Sequence, residues 1–262
     1  MPAPFTPACS LNQNPTDLGI PYDSLSSETD LVPHGCNGMT VSPSVFGQDE
    51  RLTREIETRS RVIRAAANEL IIDYDDPSSD VYFVRSGKVR VLYRTPGGKL
   101  VILGEMGVGQ LFGELAAIDG APRSASVTAL QRSELHVIPG AEFLELLDQF
   151  PRFNSGLREL LARRIRDLNE RLAEYSFLQA KHRLYAELLR LSMPRTGHGG
   201  QRAISPPPIQ HDLANRIGTR REVVSRELGS LMRARIVERT RGALVLVDPS
   251  ELNRRISAAL DE

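Results

Sequence analysis

Between residues 112 and 127 the chain runs Phe-Gly-Glu-Leu-Ala-Ala-Ile-Asp-Gly-Ala-Pro-Arg-Ser-Ala-Ser-Val, and its polar residues carry complementary chemistry. Gly113 lets the backbone approach a ligand closely, and a short helix begun near Glu114 points amide N–H groups at whatever sits before it. Glu114 is a carboxylate acceptor for a hydroxyl. Arg123 stays charged and can fork across two oxygens of an anion, with the Ser124 hydroxyl as a further donor. One anion, one hydroxyl and a flat remainder is the description of a cyclic phosphodiester of a nucleoside. Gly113, Glu114, Leu115, Arg123 and Ser124 are therefore candidate ligand-binding residues.

A second constellation lies about a hundred residues on. Gly218-Thr219-Arg220-Arg221-Glu222-Val223-Val224-Ser225-Arg226 reads as a turn followed by a helix, with Thr219 as its cap and Glu222 three residues later as in a capping box. A helix over Gln210–Ile217 precedes it, and Ala214, Gly218 and Val224 let the two cross closely. Arg221 and Arg226 can bond guanine O6 and N7, and Glu222 can accept from cytosine N4. Thr219, Arg220 and Ser225 suit phosphates. Ile236–Arg239 and Ala243–Val247 flank Thr240-Arg241-Gly242 as a β-hairpin wing that carries Arg241. Residues 211–241 hold eight Arg against four acids, net +4, although the whole chain has a formal net charge of +0.

The Gly-Glu-Leu-Ala run, Gly120 and Pro122-Arg123-Ser124-Ala125 resemble the phosphate-binding cassette of cyclic-nucleotide-binding domains. Arg221-Glu222 and Ser225-Arg226 resemble the recognition helix of CRP/FNR transcription regulators. Val81–Val91, a strand, a Gly turn and an alternating strand, is similar to the β-roll of that family. The resemblance covers about residues 50 to 248 with gaps. It implies an α+β protein: an N-terminal β-roll of jelly-roll type, a long dimerisation helix and a C-terminal winged helix-turn-helix. It further implies cAMP, or cGMP, as an allosteric ligand, with cAMP favoured by Ser124 after the Arg. Double-stranded DNA with palindromic TGTGA-like half-sites is the implied target, with RNA polymerase as a partner. Leu168 and Asn169 match the positions that relatives place over the base.

The elements needed to hold these sites are legible in outline. Residues 1–48 have four acids and neither Lys nor Arg, lack a sustained period, and read as a flexible tail. Residues 49–150 are expected to form the sensor domain, 151–193 the dimer helix and hinge, and 194–262 the DNA-binding domain. Leu52, Ile56 and Val62-Ile63 predict one or two helices between Asp49 and Ala67. Strands are expected over 69–72, 81–84, 88–94, 99–105, 125–130 and 133–138, with Asn68 and Asp75 as residues that tolerate a left-handed backbone. A short helix over 142–150 should give way to a long helix running from 152 or 155 toward Leu191. On it Leu161, Ile165, Leu168, Leu172 and Tyr175 are spaced 4, 3, 4, 3, the seam of a two-stranded coil and hence of a homodimer.

Other chemistries find little support. His34, His136, His182, His198 and His211 have neither metal spacing nor a nucleophile partner, so no metal and no enzyme activity are expected. Asp73, Asp75, Asp76 and Asp80 look calcium-like, but Val84 stands where such a loop needs Glu. Cys9 and Cys36 are too few for a four-cysteine cluster. No run approaches the about 18 apolar residues of a membrane span, which points to a cytoplasmic protein. Two rival readings of the same residues are a DNA-binding regulator that needs no nucleotide, and a sensor of another small ligand or of a haem-bound gas.

Overall fold

The computed structural model describes residues 49–261 apart from 96 and 198, so the tail predicted over 1–48 and both cysteines lie outside the described residues. Helix α1 (Glu50–Arg59) opens on Asp49, whose carboxylate accepts from the Arg51 and Leu52 amides, and it buries Leu52 and Ile56. Helix then stops at Ser60. Arg61–Ala65 is not the second helix expected from Val62-Ile63 but strand β1, paired antiparallel with β8 (Ser133–Ile138) in the register Ile63↔Leu135. Adjacent β-branched residues fit a pleated surface better than a helical turn. The Ser60 hydroxyl, 2.7 Å from His136 Nδ1, pins the crossing.

Two four-stranded sheets make the roll. One has the order β1-β8-β3-β6, with β3 at Val81–Ser86 and β6 at Leu111–Phe112; the other has the order β2-β7-β4-β5, with β2 at Leu70–Ile72, β4 at Lys88–Arg94, β5 at Leu100–Gly107 and β7 at Ser126–Ala129. The six predicted strands are all present within two residues of their expected ends. Asn68 and Asp75 both take φ of 67°, as their residue types allowed. The two-residue β6 was not foreseen. Its pairing with Tyr82 and Phe83 of β3 delivers the chain directly to Gly113.

Helix α2 (Glu114–Asp119) and helix α3 (Gly140–Gln149) pack beside the roll, where Phe83, Phe143, Leu146 and Phe153 form a solvent-free cluster. Pro151 does not end a helix and then wait; it is the first residue of α4 (Pro151–Phe177), the position where its missing N–H costs nothing. The long helix does not continue to Leu191. It breaks at Leu178-Gln179, both extended, before α5 (Ala180–Leu191). Leu178 turns inward to become buried, and the carbonyl freed by the break accepts a hydrogen bond from Arg183 Nη1 at 2.9 Å.

The break reassigns α5. Leu184, Tyr185 and Leu188 are part of the C-terminal core, packed with Leu213, Val224, Leu228 and Leu231. The Pro/Gly-rich connection contains two unexpected strands, β9 (Met193–Pro194) and β10 (Arg202–Ile204), which join β11 (Val237–Arg239) and β12 (Leu244–Leu246) in the order β11-β12-β10-β9. Helix α8 (Pro249–Leu260) closes the chain, started by Asp248 accepting from the Glu251 amide at 3.0 Å.

Helix α6 (Gln210–Arg216) and helix α7 (Arg221–Arg233) form the helix-turn-helix, but the cap differs from expectation. Arg220, not Thr219, is the residue before α7, and no side chain caps it. Thr219 is spent ending α6: its N–H bonds to Ala214 O at 3.0 Å across Gly218 at φ 62°, the six-to-one bond of a Schellman ending. A Cβ on Gly218 would also stand 2.9 Å from the Tyr175 ring of α4. Gly218→Ala is therefore expected to cost roughly 1–3 kcal/mol, read as a drop in the urea midpoint; an unchanged midpoint would show that the turn relaxes freely.

Candidate ligand cavity and DNA interface

The cassette folds around two buried opposite charges. Glu114 and Arg123 are each 3% exposed, so neither can rely on water and each must find partners in the protein. Gly113, the residue before α2, has φ of 83°, and a Cβ there would lie 2.8 Å from Arg123 Nη1 and 2.9 Å from Asp80 O. Only glycine fits between the sheet and the guanidinium. Arg123 donates from Nε to Ser78 Oγ at 3.1 Å, from Nη1 to Gly113 O at 2.8 Å and from Nη2 to Asp80 O at 2.7 Å. Three of its five N–H donors are used in these bonds, which leaves two for an anion. Its guanidinium also lies 5.8 Å from the centre of the Tyr82 ring, itself stacked on Phe112.

Glu114 is held from the other side by a residue the sequence reading did not single out. Arg164 of α4 donates from Nη1 to Glu114 Oε1 at 2.6 Å and from Nη2 to Leu111 O at 2.9 Å. The signal was available, since Arg164 lies one helical turn before Leu168 on the same face. One carboxylate oxygen of Glu114 thus carries the ion pair, and a carboxylate has a second to offer.

A cavity of about 650 Å³ opens over these groups, and Gly113, Glu114, Leu115, Arg123, Ser124 and Leu168 all line it. Asn169 does not. It is exposed on α4, outside the lining, while Asp167 and Arg171 are the polar residues that α4 presents there beside Arg164. The cavity therefore brings together six of the seven ligand-binding candidates. No group of His, Cys, Asp and Glu able to hold a metal occurs among the described residues.

The far wall of the cavity belongs to the junction with the C-terminal core. Glu105 on β5 receives Lys88 Nζ at 2.6 Å, Arg90 Nη2 at 2.9 Å and Arg216 of α6. Burial alone would raise the Glu105 carboxyl, but Arg216, Lys88 and Arg90 outweigh it and hold the pKa at about 2. A carboxylate held this low contributes stability in full above its ordinary value of 4.5 and loses it as pH falls toward 2. Glu105→Gln should therefore flatten the pH dependence of unfolding in that window by on the order of 3 kcal/mol. Urea titrations in acid check it, and parallel curves for both proteins would refute it.

In the helix-turn-helix, α7 buries Val224, Leu228 and Leu231 on one face. The opposite face is left to Arg221, Glu222, Ser225 and Arg226, all exposed around one shallow hollow. Arg220 is exposed just before them, Thr219 is half-buried in the turn, and Arg241 is exposed on the wing between β11 and β12. The arrangement gives a convex helix with four polar side chains at its first turns, the shape that enters a major groove.

Comparison with known proteins agrees with both halves. A cyclic nucleotide-binding domain model matches residues 62–150, and a Crp-like helix-turn-helix domain model matches residues 182–255. The chain is 35% identical to the cyclic AMP receptor protein of Thermus thermophilus over 187 residues, 71% of this chain and 80% of that one. It is 29% identical to a CRP-like cAMP-activated global transcriptional regulator of Mycobacterium tuberculosis over 177 residues, 67% of this chain and 79% of the relative. Among solved structures, the c-di-GMP responsive global regulator CLP of Xanthomonas campestris superposes with a TM-score of 0.65 at 22% identity, covering 76% of this chain and 99% of its own, a likeness of fold. With a nucleotide-type cassette around a preformed cavity, a winged helix-turn-helix and relatives of this closeness, the chain belongs to the CRP/FNR family of transcription regulators.

Proposed function

We propose that this regulator is a homodimer that binds a cyclic nucleotide, cAMP in first place, and thereby sets its grip on palindromic DNA. The observation that carries the reading is a preformed cavity lined both by a buried guanidinium, three of whose five N–H donors are taken by protein oxygens, and by a buried carboxylate. The phosphate would take those donors and the Ser124 hydroxyl, the ribose hydroxyl would bond Glu114, and Gly113 and Leu115 would bound the sugar. Relatives named for cAMP support this ligand over cGMP. Leu168 offers the base an apolar surface, and Asp167 beside it in the lining offers an acceptor suited to an exocyclic amine.

The dimer is supported by the α4 seam. Ile165 is 58% and Leu172 66% exposed in the single chain, and Leu168 lies between them. Large side chains at that spacing gain roughly 1.5–3 kcal/mol each when buried, enough for a partner helix to hold them. Two recognition helices would then meet successive major grooves about 34 Å apart, with TGTGA-like half-sites and RNA polymerase as the partner on the promoter. The protein would act by binding rather than by catalysis. No helix among the described residues is long and apolar enough to cross a membrane.

Calorimetry with cAMP and cGMP tests the ligand, and absence of heat with both would leave a DNA-binding regulator that needs no nucleotide. Arg123→Lys keeps a buried cation but loses the fork, so nucleotide affinity should fall at least about tenfold; unchanged affinity would remove Arg123 from phosphate binding. At the DNA end, Arg226→Ala should relax preference at one base pair by about 1–3 kcal/mol. A selected-site profile identical to that of the unaltered protein would reject that contact.

A further inference from the structure

One wall of the cavity reaches beyond the roll and the long helix. Arg216, the last residue of α6, lines it together with Glu105 of β5, and the two are joined by a charge-assisted hydrogen bond. Arg216 is 7% exposed, and its Nη1 also lies 3.4 Å from Glu187 of α5. Glu187, 1% exposed, accepts from Arg190 Nη1 at 2.6 Å. On the same face of the roll, Arg90 bridges Glu105 and Asp212, the latter at 2.7 Å and in the first turn of α6. Both ends of the first helix of the helix-turn-helix are thus tied by ion pairs to strands β4 and β5 of the sensor.

We infer that Glu105 and Arg216, with Arg90 and Asp212 beside them, form an electrostatic clasp that couples occupancy of the cavity to the placement of the DNA-reading unit. The inference rests on the cavity being a ligand site, as proposed above, and adds the contact that reports it. The case is one of position and charge. A ligand entering the cavity meets Glu105 and Arg216 in its lining, so its charge acts on the pair across the cavity. Arg216 is buried, and Glu105, Arg90 and Asp212 are largely withdrawn from water, so removing one member leaves its partners poorly solvated. Its charged groups come from β4, β5 and α6, so it ties the second sheet of the roll to the helix-turn-helix.

The test uses the full chain and two variants on opposite sides of the clasp. Arg216→Met keeps the length and apolar stem, and Glu105→Gln keeps the shape of the carboxylate, so one survives as a probe if the other fails to fold. Amide hydrogen exchange in the absence of DNA and nucleotide should accelerate at least fivefold in α6 and β5 for each variant, with α8 and β8 unchanged. Fluorescence anisotropy on a selected DNA site, with and without cAMP, should show the ligand-induced change in affinity shrinking at least fivefold. Unaltered exchange in α6 and β5 overturns the clasp. Faster exchange with the full ligand response intact overturns its part in coupling. If cAMP and cGMP fail to bind the unaltered protein, the nucleotide reading falls instead, and the clasp is judged by exchange together with ligand-free DNA affinity, which it predicts to differ from that of both variants.

Discussion

Two buried side chains of opposite charge type, both lining one cavity of the roll, set the terms for everything around them. Glu114 and Arg123 are almost wholly withdrawn from water, and the cost of an unpaired buried charge is several kcal/mol, more than any single strand pairing returns. The chain meets that cost with partners from segments far apart in sequence: Ser78 and Asp80 before β3, Gly113 before α2, and Arg164 from α4. A guanidinium has more donors than these partners consume, and a carboxylate more acceptor sites. The excess is what a ligand could use, so the same arrangement that makes the burial tolerable sets a few polar groups into a largely apolar cavity.

The geometry of the roll follows from that demand. Strand β6 is only two residues long, yet its pairing with β3 fixes where Gly113 must turn, and the left-handed turn brings the backbone carbonyl onto Arg123. Tyr82 and Phe112 stack beneath the guanidinium and close the apolar floor. Helix α4 enters through Arg164, which spans from Glu114 to the Leu111 carbonyl, so the long helix is attached to the cassette by the same carboxylate that the ribose would need. Charge placement in the sensor is therefore also charge placement on the helix that carries the exposed seam.

How much of this was readable in the sequence depends on whether a residue's partners are local. The strands over 81–86, 88–94 and 133–138 declare themselves through alternation and a Gly turn, and the cassette residues through their types and close spacing. Arg61–Ala65 misled because two apolar residues six and seven positions after Ile56 fit a helical period as well as a strand, and only the pairing with β8 decides. Arg164 is marked only by its helical spacing from Leu168, and the Glu105–Arg216 pair carries no local signal at all, because the partners lie 50 and 111 residues away. Asn169 is placed over the base only by register with the family; in the single chain it is exposed on α4, while Asp167 and Arg171 line the cavity. The break at Leu178 has no Pro or Gly to announce it; it is made by burying a leucine and by Arg183 taking the released carbonyl.

That break decides how the two halves communicate. A continuous helix to Leu191 would transmit any rotation of α4 rigidly into the DNA-binding core. With α5 packed into that core, the link at the end of α4 is a small set of directed contacts instead. The Tyr175 hydroxyl donates to Arg216 O at 3.1 Å, its ring lies against Gly218, and Arg183 sits 4.8 Å over that ring while donating to Ile217 O at 3.1 Å. All three contacts converge on the turn between α6 and α7, the point that fixes the angle of the recognition helix. Tyr175 is also the last member of the seam that a second copy would cover. A change in how the seam packs therefore reaches the turn through one aromatic ring held in place by an arginine, and reaches it at the residue whose side chain closes the ligand cavity. Contacts from β5, from α4 and from α5 thus converge on Arg216, Ile217 and Gly218, so the turn that orients α7 is held by the roll, the long helix and the C-terminal core together.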